Sequence, residues 1–406
     1  MNILQTICRI VAGLVFFLSG FLKAVDPVGG AIKIEEYLRA FHLEFFDFLS
    51  LPASIILCCV EFVTGIALLK GMKMRLFSLV ALIFISFFSL LTLYSAIFNP
   101  VEDCGCFGEA VHLSNWATFC KNVVLFAAIL FVYLRRDKFE PIAHPFWETL
   151  YTFCYFCLVF TVSLMAVVYL PKVDFTPYRA GTDLLEVLHN PVEREYETIF
   201  TYTKEGQSKE FTIDNLPDST WSYLSSETKL VSGAKERGQI TDFVLRDTAG
   251  NYVAEAVLST DTPVFFITVH DSGKIGRRAL KRIMRIADTV AANGALPYLL
   301  SGDGKPLPAA GLPLLVTDYK TALSMNRSNG GLVYLKRGLI VNKWSAYDYP
   351  YSGISRILSR DYEEIAANQT IEAQLFLQVT LLVVLLLVFV VRYVSKRLYW
   401  RKKRLL

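Results

Sequence analysis

Cysteine is missing from the second half of this 406-residue chain, whose eight cysteines end at Cys157. This absence excludes thiol chemistry from every residue that follows. The chain also lacks a large excess of charge of either sign. Its 41 Lys and Arg residues nearly balance its 37 Asp and Glu residues, and the net charge is +4. The polar regions also contain no basic stripe interleaved with aromatic residues, so the composition argues against nucleic acid as a partner.

Apolar residues, in contrast, make up 53% of the chain. Six runs approach or reach the roughly 20 apolar residues that cross a bilayer. The first run lacks a small-x-small cleavage site and is followed at once by more runs, so we interpret it as a helix and not as a signal peptide. The sequence therefore predicts a polytopic α-helical protein in contact with the lipid bilayer. The predicted spans are residues 4–24, 51–70, 76–98, 117–134, 147–170 and 373–394.

Lysine and arginine indicate the orientation of these spans. They cluster between spans two and three, between spans four and five, and in the tail "SKRLYWRKKRLL". The positive-inside rule places all three clusters, and with them both termini, in the cytoplasm. Residues 172–372 then face the opposite side, which is the periplasm if the membrane is a bacterial inner membrane. Disulfides persist in that compartment.

The polar and apolar segments predict four parts. Residues 1–135 form a four-helix transmembrane domain, with an amphipathic helix in "GAIKIEEYLRAFHLEFFDFLS" between its first two spans. Residues 136–171 form a cytoplasmic loop and the fifth span, and residues 373–406 form the sixth span and the basic tail. Residues 172–372 lie between these parts. Their pattern predicts a hairpin in "YETIFTYTKEGQSKEFTI" and a buried strand in "TPVFFITV". It also predicts a helix in "IGRRALKRIMRIADTVAAN" and a last hairpin in "GLVYLKRGLIVNKW". This order favours a small α/β domain.

Cys104 and Cys106 lie in "VEDCGCFGEAVHLSNW", the loop between spans three and four, and form the only cysteine pair expected in an exposed, oxidising loop. Cysteines two residues apart can approach to disulfide distance, and the glycine between them relaxes the backbone. So tight a ring is expected to be strained, and strained disulfides are labile and oxidising. Cys120 is a candidate resolving thiol, and the charge of Lys121 would support a thiolate.

Metal binding is the alternative interpretation of the same loop. Cys104, Cys106, His112 and Cys120 are ligand types that zinc accepts, although their spacing matches no standard zinc pattern. Both interpretations remain open on the sequence alone.

Glu61 lies in the middle of the second span, where an ionisable residue is functional or paired. Arg9, in span one, is the expected partner because its side chain is long. We therefore consider two roles for Glu61: an Arg9–Glu61 ion pair that fixes helix packing, and a proton or quinone site.

Three separated segments resemble a known family. "RIVAGLVFFLSGFLKAVDPVGG", "EFVTGIALLKG" and "DCGCFGEAVHLSNWATFCKN" resemble the DoxX-like superfamily and, within it, the methylamine-utilisation MauE branch. This family is associated with periplasmic disulfide formation during enzyme maturation, and relatives take part in quinone-linked sulfur oxidation. The resemblance covers residues 1–135 and implies that Cys104 and Cys106 are the redox pair. It also implies a polar framework of Arg9, Lys23, Asp26, Glu61 and Lys121.

The polar region more faintly resembles membrane-anchored thioredoxin-like proteins. "ITDFVLRDTAGNYV" is similar to their entry strands and "TPVFFITV" to their central strand. Where their Cys-x-x-Cys motif would follow, this chain has "HDSGKIG", and "SNGG" stands where a loop proline is expected. The resemblance implies a degenerate thioredoxin-like domain that can bind or position a partner but cannot exchange thiols.

Two functions follow from these observations. The first is a membrane thiol–disulfide oxidoreductase in which Cys104 and Cys106 take electrons from a periplasmic protein with a dithiol, with a quinone as a candidate acceptor and no other cofactor indicated. The second is a non-enzymatic membrane scaffold whose α/β domain binds an envelope partner. Transport or ion coupling through Glu61 is a third hypothesis with less support.

Overall fold

A computed structural model describes most of the chain. The described residues are 3–101, 104–111, 113–190, 195–204, 207–212, 215–218, 220–232, 240, 243–307 and 311–405. Its helices are α1 Ile3–Val25, α2 Pro27–Ala40, α3 Ser50–Lys70, α4 Met74–Phe98, α5 Asn115–Leu134, α6 Pro145–Tyr169, α7 Leu184–His189, α8 Ala254–Leu258, α9 Arg277–Ala292, α10 Tyr319–Met325, α11 Ile354–Leu358 and α12 Tyr362–Leu405.

Six of these helices are long and apolar enough to cross a membrane, namely α1, α3, α4, α5, α6 and α12. They coincide with the six predicted spans, so this is a multi-pass helical membrane protein. At one end of the bundle, Gln5 of α1 donates a hydrogen bond to the carbonyl of Arg135, and Lys396 of the basic tail pairs with Glu140. The predicted basic clusters therefore lie together at one end. The opposite end carries α2, the cysteine loop and the sheet-containing C-terminal region.

Helices α1 and α3 pack closely because glycines line their contact. A Cβ atom added to Gly20 would lie 2.3 Å from the backbone nitrogen of Phe62, and one added to Gly65 would lie 2.2 Å from that of Phe17. No side chain larger than hydrogen fits at such distances, so the two backbones meet at these positions. This contact fixes the antiparallel register of the two helices.

Helix α2 matches the first half of the predicted amphipathic helix and ends at Ala40, and a separate 3-10 helix follows at Glu44–Leu49. Asp26 caps it by accepting a hydrogen bond from the backbone nitrogen of Gly29 (3.0 Å), and Pro27 at its first position suits a helix start. Ser54 of α3 holds its beginning by donating to the Pro27 carbonyl (2.8 Å). The phenol of Tyr37 is buried and hydrogen-bonded to Ser95 of α4 (3.1 Å).

The C-terminal region contains a five-stranded mixed sheet of β4 to β8 and a separate three-stranded antiparallel sheet of β1 to β3. In the larger sheet the order is β6-β5-β4-β7-β8, with β4, β5 and β6 parallel and β7 and β8 antiparallel to their neighbours. In the smaller sheet the order is β2-β1-β3. The strands are β1 Glu195–Lys204, β2 Gln207–Thr212, β3 Ser222–Ser232, β4 Val264–Val269, β5 Leu296–Ser301, β6 Leu314–Val316, β7 Gly331–Lys336 and β8 Leu339–Trp344.

Most of these strands are those expected from the sequence, but β3 was not predicted, and the described part of the expected entry strands, "ITDFVLRDTAGNYV", forms only isolated bridges at Arg246. All six residues of β4 are buried, as expected of a mainly apolar run at the centre of a sheet. The first and last hairpins are present as β1–β2 and β7–β8. Helix α9 packs the apolar side chains Ile283, Ile286 and Val290 against one face of the larger sheet.

A buried ion pair joins the C-terminal region to the membrane helices. Arg327 Nη2 lies 2.9 Å from Asp26 Oδ2, and both side chains are 4% exposed. Burial acts to lower the pKa of Arg327, but the charges of Asp26 and Glu109 outweigh it and raise that pKa. Asp26 therefore has two roles, since it begins α2 and anchors the C-terminal region above the cysteine loop.

Candidate functional site

The two loop cysteines lie together as free thiols. Their Sγ atoms are 3.0 Å apart, about 1 Å more than the length of a disulfide bond. Cys104 is buried at 9% exposure, whereas Cys106 is partly exposed. The expectation of an exposed pair is therefore wrong for Cys104, because α2 packs beside the loop and its Tyr37 interacts with this thiol.

The residue between the cysteines has to be glycine. Gly105 has a φ of +61°, in the left-handed region that side chains disfavour, and a Cβ atom there would lie 2.7 Å from Cγ of Lys33. This conformation turns both thiols towards each other. The loop is thus folded tightly against the side chain of a lysine on α2.

The two thiols differ in acidity. The hydrogen bond donated by Cys104 lowers the pKa of Cys106 to about 7, helped by the charges of Lys121 and Lys23 and opposed by burial. The same hydrogen bond, together with burial, raises the pKa of Cys104 well above its usual value. The thiolate is the nucleophilic form of cysteine, and Cys106 is the more readily ionised of the two thiols, with Cys104 as its hydrogen-bond donor.

Lys23 and Glu61 form a buried ion pair beneath this loop. Lys23 Nζ lies 2.8 Å from Oε1 and 2.9 Å from Oε2 of Glu61, with the side chains only 6% and 5% exposed. Two hydrogen bonds from the ammonium group satisfy both carboxylate oxygens. An opposite charge at this distance is what allows an ionised carboxylate to lie inside the bundle.

The expected Arg9–Glu61 pair is wrong. The register set by the glycine contacts places Phe21 opposite Glu61, about 18 Å along α1 from Arg9 at 1.5 Å per residue. Arg9 instead donates to the carbonyls of Leu68 and Leu69, where α3 ends. A fully buried arginine thus fixes the far end of the α1–α3 contact.

Ser19 is a site residue that the sequence interpretation missed. Its Oγ lies 2.8 Å from Oε2 of Glu61 and 2.6 Å from the carbonyl oxygen of Cys106. It precedes Lys23 by one helical turn, so both polar side chains lie on one face of an otherwise apolar helix. Two polar residues at this spacing within a membrane span are the sequence signal that could have identified Ser19 as a site residue.

A small cavity connects these groups. Its volume is about 40 Å³. Ligand pockets usually measure about 300–1,000 Å³, so the cavity accommodates water molecules and not a quinone ring. Its polar lining consists of Ser19, Lys23, Glu61, Cys106, Lys121 and Asn122.

Lys121 and Cys120 are neighbours in sequence but lie on different faces of α5. Lys121 lines the cavity, with Nζ 4.6 Å from the centre of the Phe107 ring, whereas Cys120 is exposed on the outer surface of the helix and does not line the cavity. Successive residues of an α-helix point about 100° apart, which separates the two. Cys120 therefore lies apart from the loop pair, and the thiol next to Cys106 is Cys104.

The alternative zinc set is not assembled in the described part of the chain. Cys120 lies apart from the loop pair, and His112 lies outside the described residues. Among the residues that the structure describes, no group of three His, Cys, Asp or Glu side chains is arranged to hold a metal ion.

A chain of charges links the cysteine loop to the C-terminal region. Glu36 of α2 pairs with Lys33 (3.2 Å) and also with Lys320 of α10 (2.8 Å). Lys33 is the side chain that packs against Gly105. These contacts connect the C-terminal region, through α2, to the backbone between the two cysteines.

The acidity of Cys106 gives the first testable result. Its alkylation by iodoacetamide in the full-length protein is expected to reach half its maximal rate near pH 7. Lys121→Met removes a positive charge near the thiolate, so it should raise the pKa of Cys106 and slow alkylation at pH 7 several-fold. Site-resolved mass spectrometry measures the rate, with Lys138→Met, at the other end of the bundle, as the matched control. A midpoint that stays unchanged in Lys121→Met would contradict this role for Lys121.

Comparisons with known proteins were made for the whole chain. Residues 1–135 match the family model described as methylamine utilisation protein MauE. Residues 196–233, which include all but the first residue of the three-stranded sheet, match a domain of unknown function (DUF8463). No curated protein and no solved structure matches the chain.

Proposed function

We propose that this membrane protein, similar to MauE over its first 135 residues, exchanges thiols and disulfides with a partner protein through Cys104 and Cys106. The observation that carries the proposal is the contact between the two thiols at 3.0 Å, with the pKa of Cys106 lowered to about 7. A structural cysteine pair needs no such acidity. The match to MauE supports the same assignment, since it covers residues 1–135, the membrane unit of four spanning helices that holds the site.

The reaction balances without a further reactant. The Cys106 thiolate attacks one sulfur of a partner disulfide, so that a mixed disulfide forms and a partner thiolate leaves. Cys104, after losing its proton, attacks the sulfur of Cys106, closes the Cys104–Cys106 disulfide and releases the second partner thiolate. The partner disulfide has then become a dithiol and the loop pair has been oxidised. The reverse sequence oxidises a partner dithiol.

The surrounding residues have distinct roles in this proposal. Lys121 and Lys23 stabilise the Cys106 thiolate by their charge, and Lys23 also neutralises Glu61. Glu61 is the nearest carboxylate able to accept a proton from the cavity. A quinone as the final acceptor would have to bind elsewhere or after the cavity enlarges, because about 40 Å³ does not admit its ring.

The proposed compartment of the cysteine loop rests on the positions of the Lys and Arg clusters. With the basic clusters in the cytoplasm, the cysteine loop and the C-terminal region lie in the periplasm, where a disulfide can persist. The larger sheet supports a thioredoxin-like interpretation of that region, since β4 leads through a short turn into α9 and a final antiparallel hairpin follows. The turn contains no cysteine, so the region positions the site or a partner and does not itself exchange thiols.

Trapping the mixed disulfide tests the proposal. In Cys104→Ser the nucleophile remains but the resolving thiol is absent, so a disulfide between Cys106 and the partner is expected to accumulate. Non-reducing electrophoresis of alkylated membranes, followed by mass spectrometry, identifies the adduct. Cys106→Ser should form none, and Cys120→Ser should behave as the wild type.

Two results would overturn the assignment. If Cys104→Ser captures no protein while Cys106 stays reduced in intact cells, the exchange reaction is wrong. If Cys120→Ser accumulates the adduct, Cys120 and not Cys104 resolves it.

A non-enzymatic scaffold is the second candidate function. The observation that favours it is the absence of cysteine from a region whose basic side chains Lys320 and Arg327 are engaged with acids at the end of the membrane unit. A scaffold would retain its function in the Cys104→Ser/Cys106→Ser double variant. Loss of function in that variant rejects it.

A further inference from the structure

A second cavity lies where the membrane helices meet the C-terminal region. Its volume is about 330 Å³, within the range of about 300–1,000 Å³ that is usual for ligand pockets. It is lined by the segment that follows α6, by residues 369–377 of α12, and by residues of α10, the loop after it and β8. No residue lines both this cavity and the one beneath the cysteines, so the two are separate.

The cavity lies at the level where two membrane spans end. Helix α6 ends at Tyr169, and the predicted sixth span begins at residue 373 of α12. Tyr169 and Gln374 both line the cavity and are exposed. Lipid headgroups occupy this level of a bilayer, so the opening is accessible to them.

Part of the lining is apolar. It consists of Leu170, Val173, Phe175, Ala373 and Leu377. All of these except Leu170 pack in the same apolar core as α1 and α3. The apolar lining is therefore continuous with the core of the bundle, and it suits the glyceride and the first acyl carbons of a lipid.

The polar part of the lining carries more positive than negative charge. Its charged residues are Lys172, Arg179, Arg327, Lys343, Asp174 and Asp348. Lys343 pairs with Asp174 at 2.6 Å, and Asp348 accepts a hydrogen bond from a serine at 2.8 Å. Lys172 and Arg179 are exposed and have no carboxylate partner in the described part of the chain. Two cations at the opening are thus available to an anion.

Arg327 is deeply buried and still has unused donors. Its side chain is 4% exposed, and its contact with Asp26 uses Nη2. The charges of Asp26 and Glu109 stabilise this cation, but Nε and Nη1 have no hydrogen-bond partner among the described residues. A buried donor without an acceptor is costly, and phosphate oxygens are strong acceptors for a guanidinium group. An anion in the cavity, which Arg327 lines, brings such acceptors to this side chain.

We propose that this cavity binds an anionic phospholipid from the leaflet on the side of the cysteine loop. The phosphate lies among Lys172, Arg179 and Arg327, and the apolar part of the lipid lies against Val173 and Leu377. Both halves of the lining carry the assignment, since cations alone would suit a free phosphate ion and apolar residues alone would suit any lipid. The site does not involve the cysteines, so it is independent of the proposed thiol exchange.

Native mass spectrometry of the full-length protein in detergent measures lipid binding. The probe is dioleoylphosphatidylglycerol, and dioleoylphosphatidylcholine, with the same acyl chains and phosphate but no net charge, is the matched lipid. We expect the anionic lipid to bind more tightly. Lys172→Gln/Arg179→Gln should weaken its binding about 25-fold, or about fivefold for each lost charge.

A matched variant separates this site from a general attraction between charges. Arg278→Gln/Lys281→Gln removes the same two types of charge from exposed positions on α9, outside the cavity lining, and should leave the affinity unchanged. Lys172 and Arg179 are also exposed, so their replacement should leave the protein folded, as the melting temperature without added lipid checks.

The outcomes decide the proposal in both directions. Equal affinities for the two lipids, or an unchanged affinity in Lys172→Gln/Arg179→Gln, would overturn it. Inorganic phosphate in excess is the third probe, and complete displacement of the lipid would assign the cavity to a soluble anion and overturn the lipid assignment. The trapping experiment with Cys104→Ser does not depend on this result, so the two proposals can fail separately.

Discussion

Lys23→Met is expected to destabilise the protein by about 3–5 kcal/mol, because it leaves the Glu61 carboxylate buried without its counter-charge. The side chains are 6% and 5% exposed, so bulk water does not solvate the carboxylate once the ammonium group is lost. The same substitution removes a positive charge that favours the Cys106 thiolate, so the pKa of Cys106 should rise. Unfolding in mixed detergent micelles, followed by tryptophan fluorescence, measures the first effect, and the pH profile of alkylation measures the second.

The double variant Lys23→Met/Glu61→Gln separates these two effects. Neither position then carries a charge, so most of the lost stability should return, and the pKa of Cys106 should fall part of the way back because the Glu61 charge that raised it is also gone. Arg75→Met, which breaks an exposed pair with Asp137, is the matched control and should cost no more than about 1 kcal/mol. A double variant as unstable as Lys23→Met would show that the ion pair is not the cause.

Asp26→Asn is expected to weaken the attachment of the C-terminal region to the membrane unit, by an amount similar to that of Lys23→Met. Asparagine remains a good helix cap, so the hydrogen bond from Gly29 at the start of α2 is kept and only the charge is lost. Arg327 is then a buried cation without its counter-ion. Hydrogen exchange of α2 and α10 should become faster, as measured by mass spectrometry of the full-length protein.

A thermodynamic cycle tests whether the charge is responsible. Adding Arg327→Met to Asp26→Asn should recover part of the protection, because the unpaired cation is removed. Lys320→Met breaks the neighbouring pair with Glu36, in which the lysine side chain is 59% exposed, and should change exchange only slightly. Equal effects of Asp26→Asn and Lys320→Met would contradict the dominant role of the buried pair.

The sequence predicts the helices well because crossing a membrane requires a long apolar run. All six spans were identified, and α2 was found from its amphipathic pattern. Strand β4 was identifiable for a related reason, since a run of six residues with five apolar side chains suits the centre of a sheet. What these elements share is that their signal lies within a single segment.

Contacts between helices could not be predicted in the same way. The choice of Arg9 over Lys23 as partner of Glu61 failed because the register of α1 against α3 depends on Gly20 and Gly65, whose close approach appears only when both helices are present. The burial of Cys104 was missed because it depends on where α2 packs. Arg327 was missed since its partner Asp26 is about 300 residues away in the sequence.

Helix α12 runs without a break for 44 residues, from Tyr362 beside the larger sheet to Leu405. At 1.5 Å per residue it is about 66 Å long, roughly twice the thickness of the hydrocarbon core of a bilayer. Its first turns pack with Tyr362 and Ile365 against the core of the C-terminal region, and its middle contacts α3. About half of the helix therefore lies outside the hydrocarbon core, so one continuous rod connects the core of the C-terminal region to the basic end of the bundle.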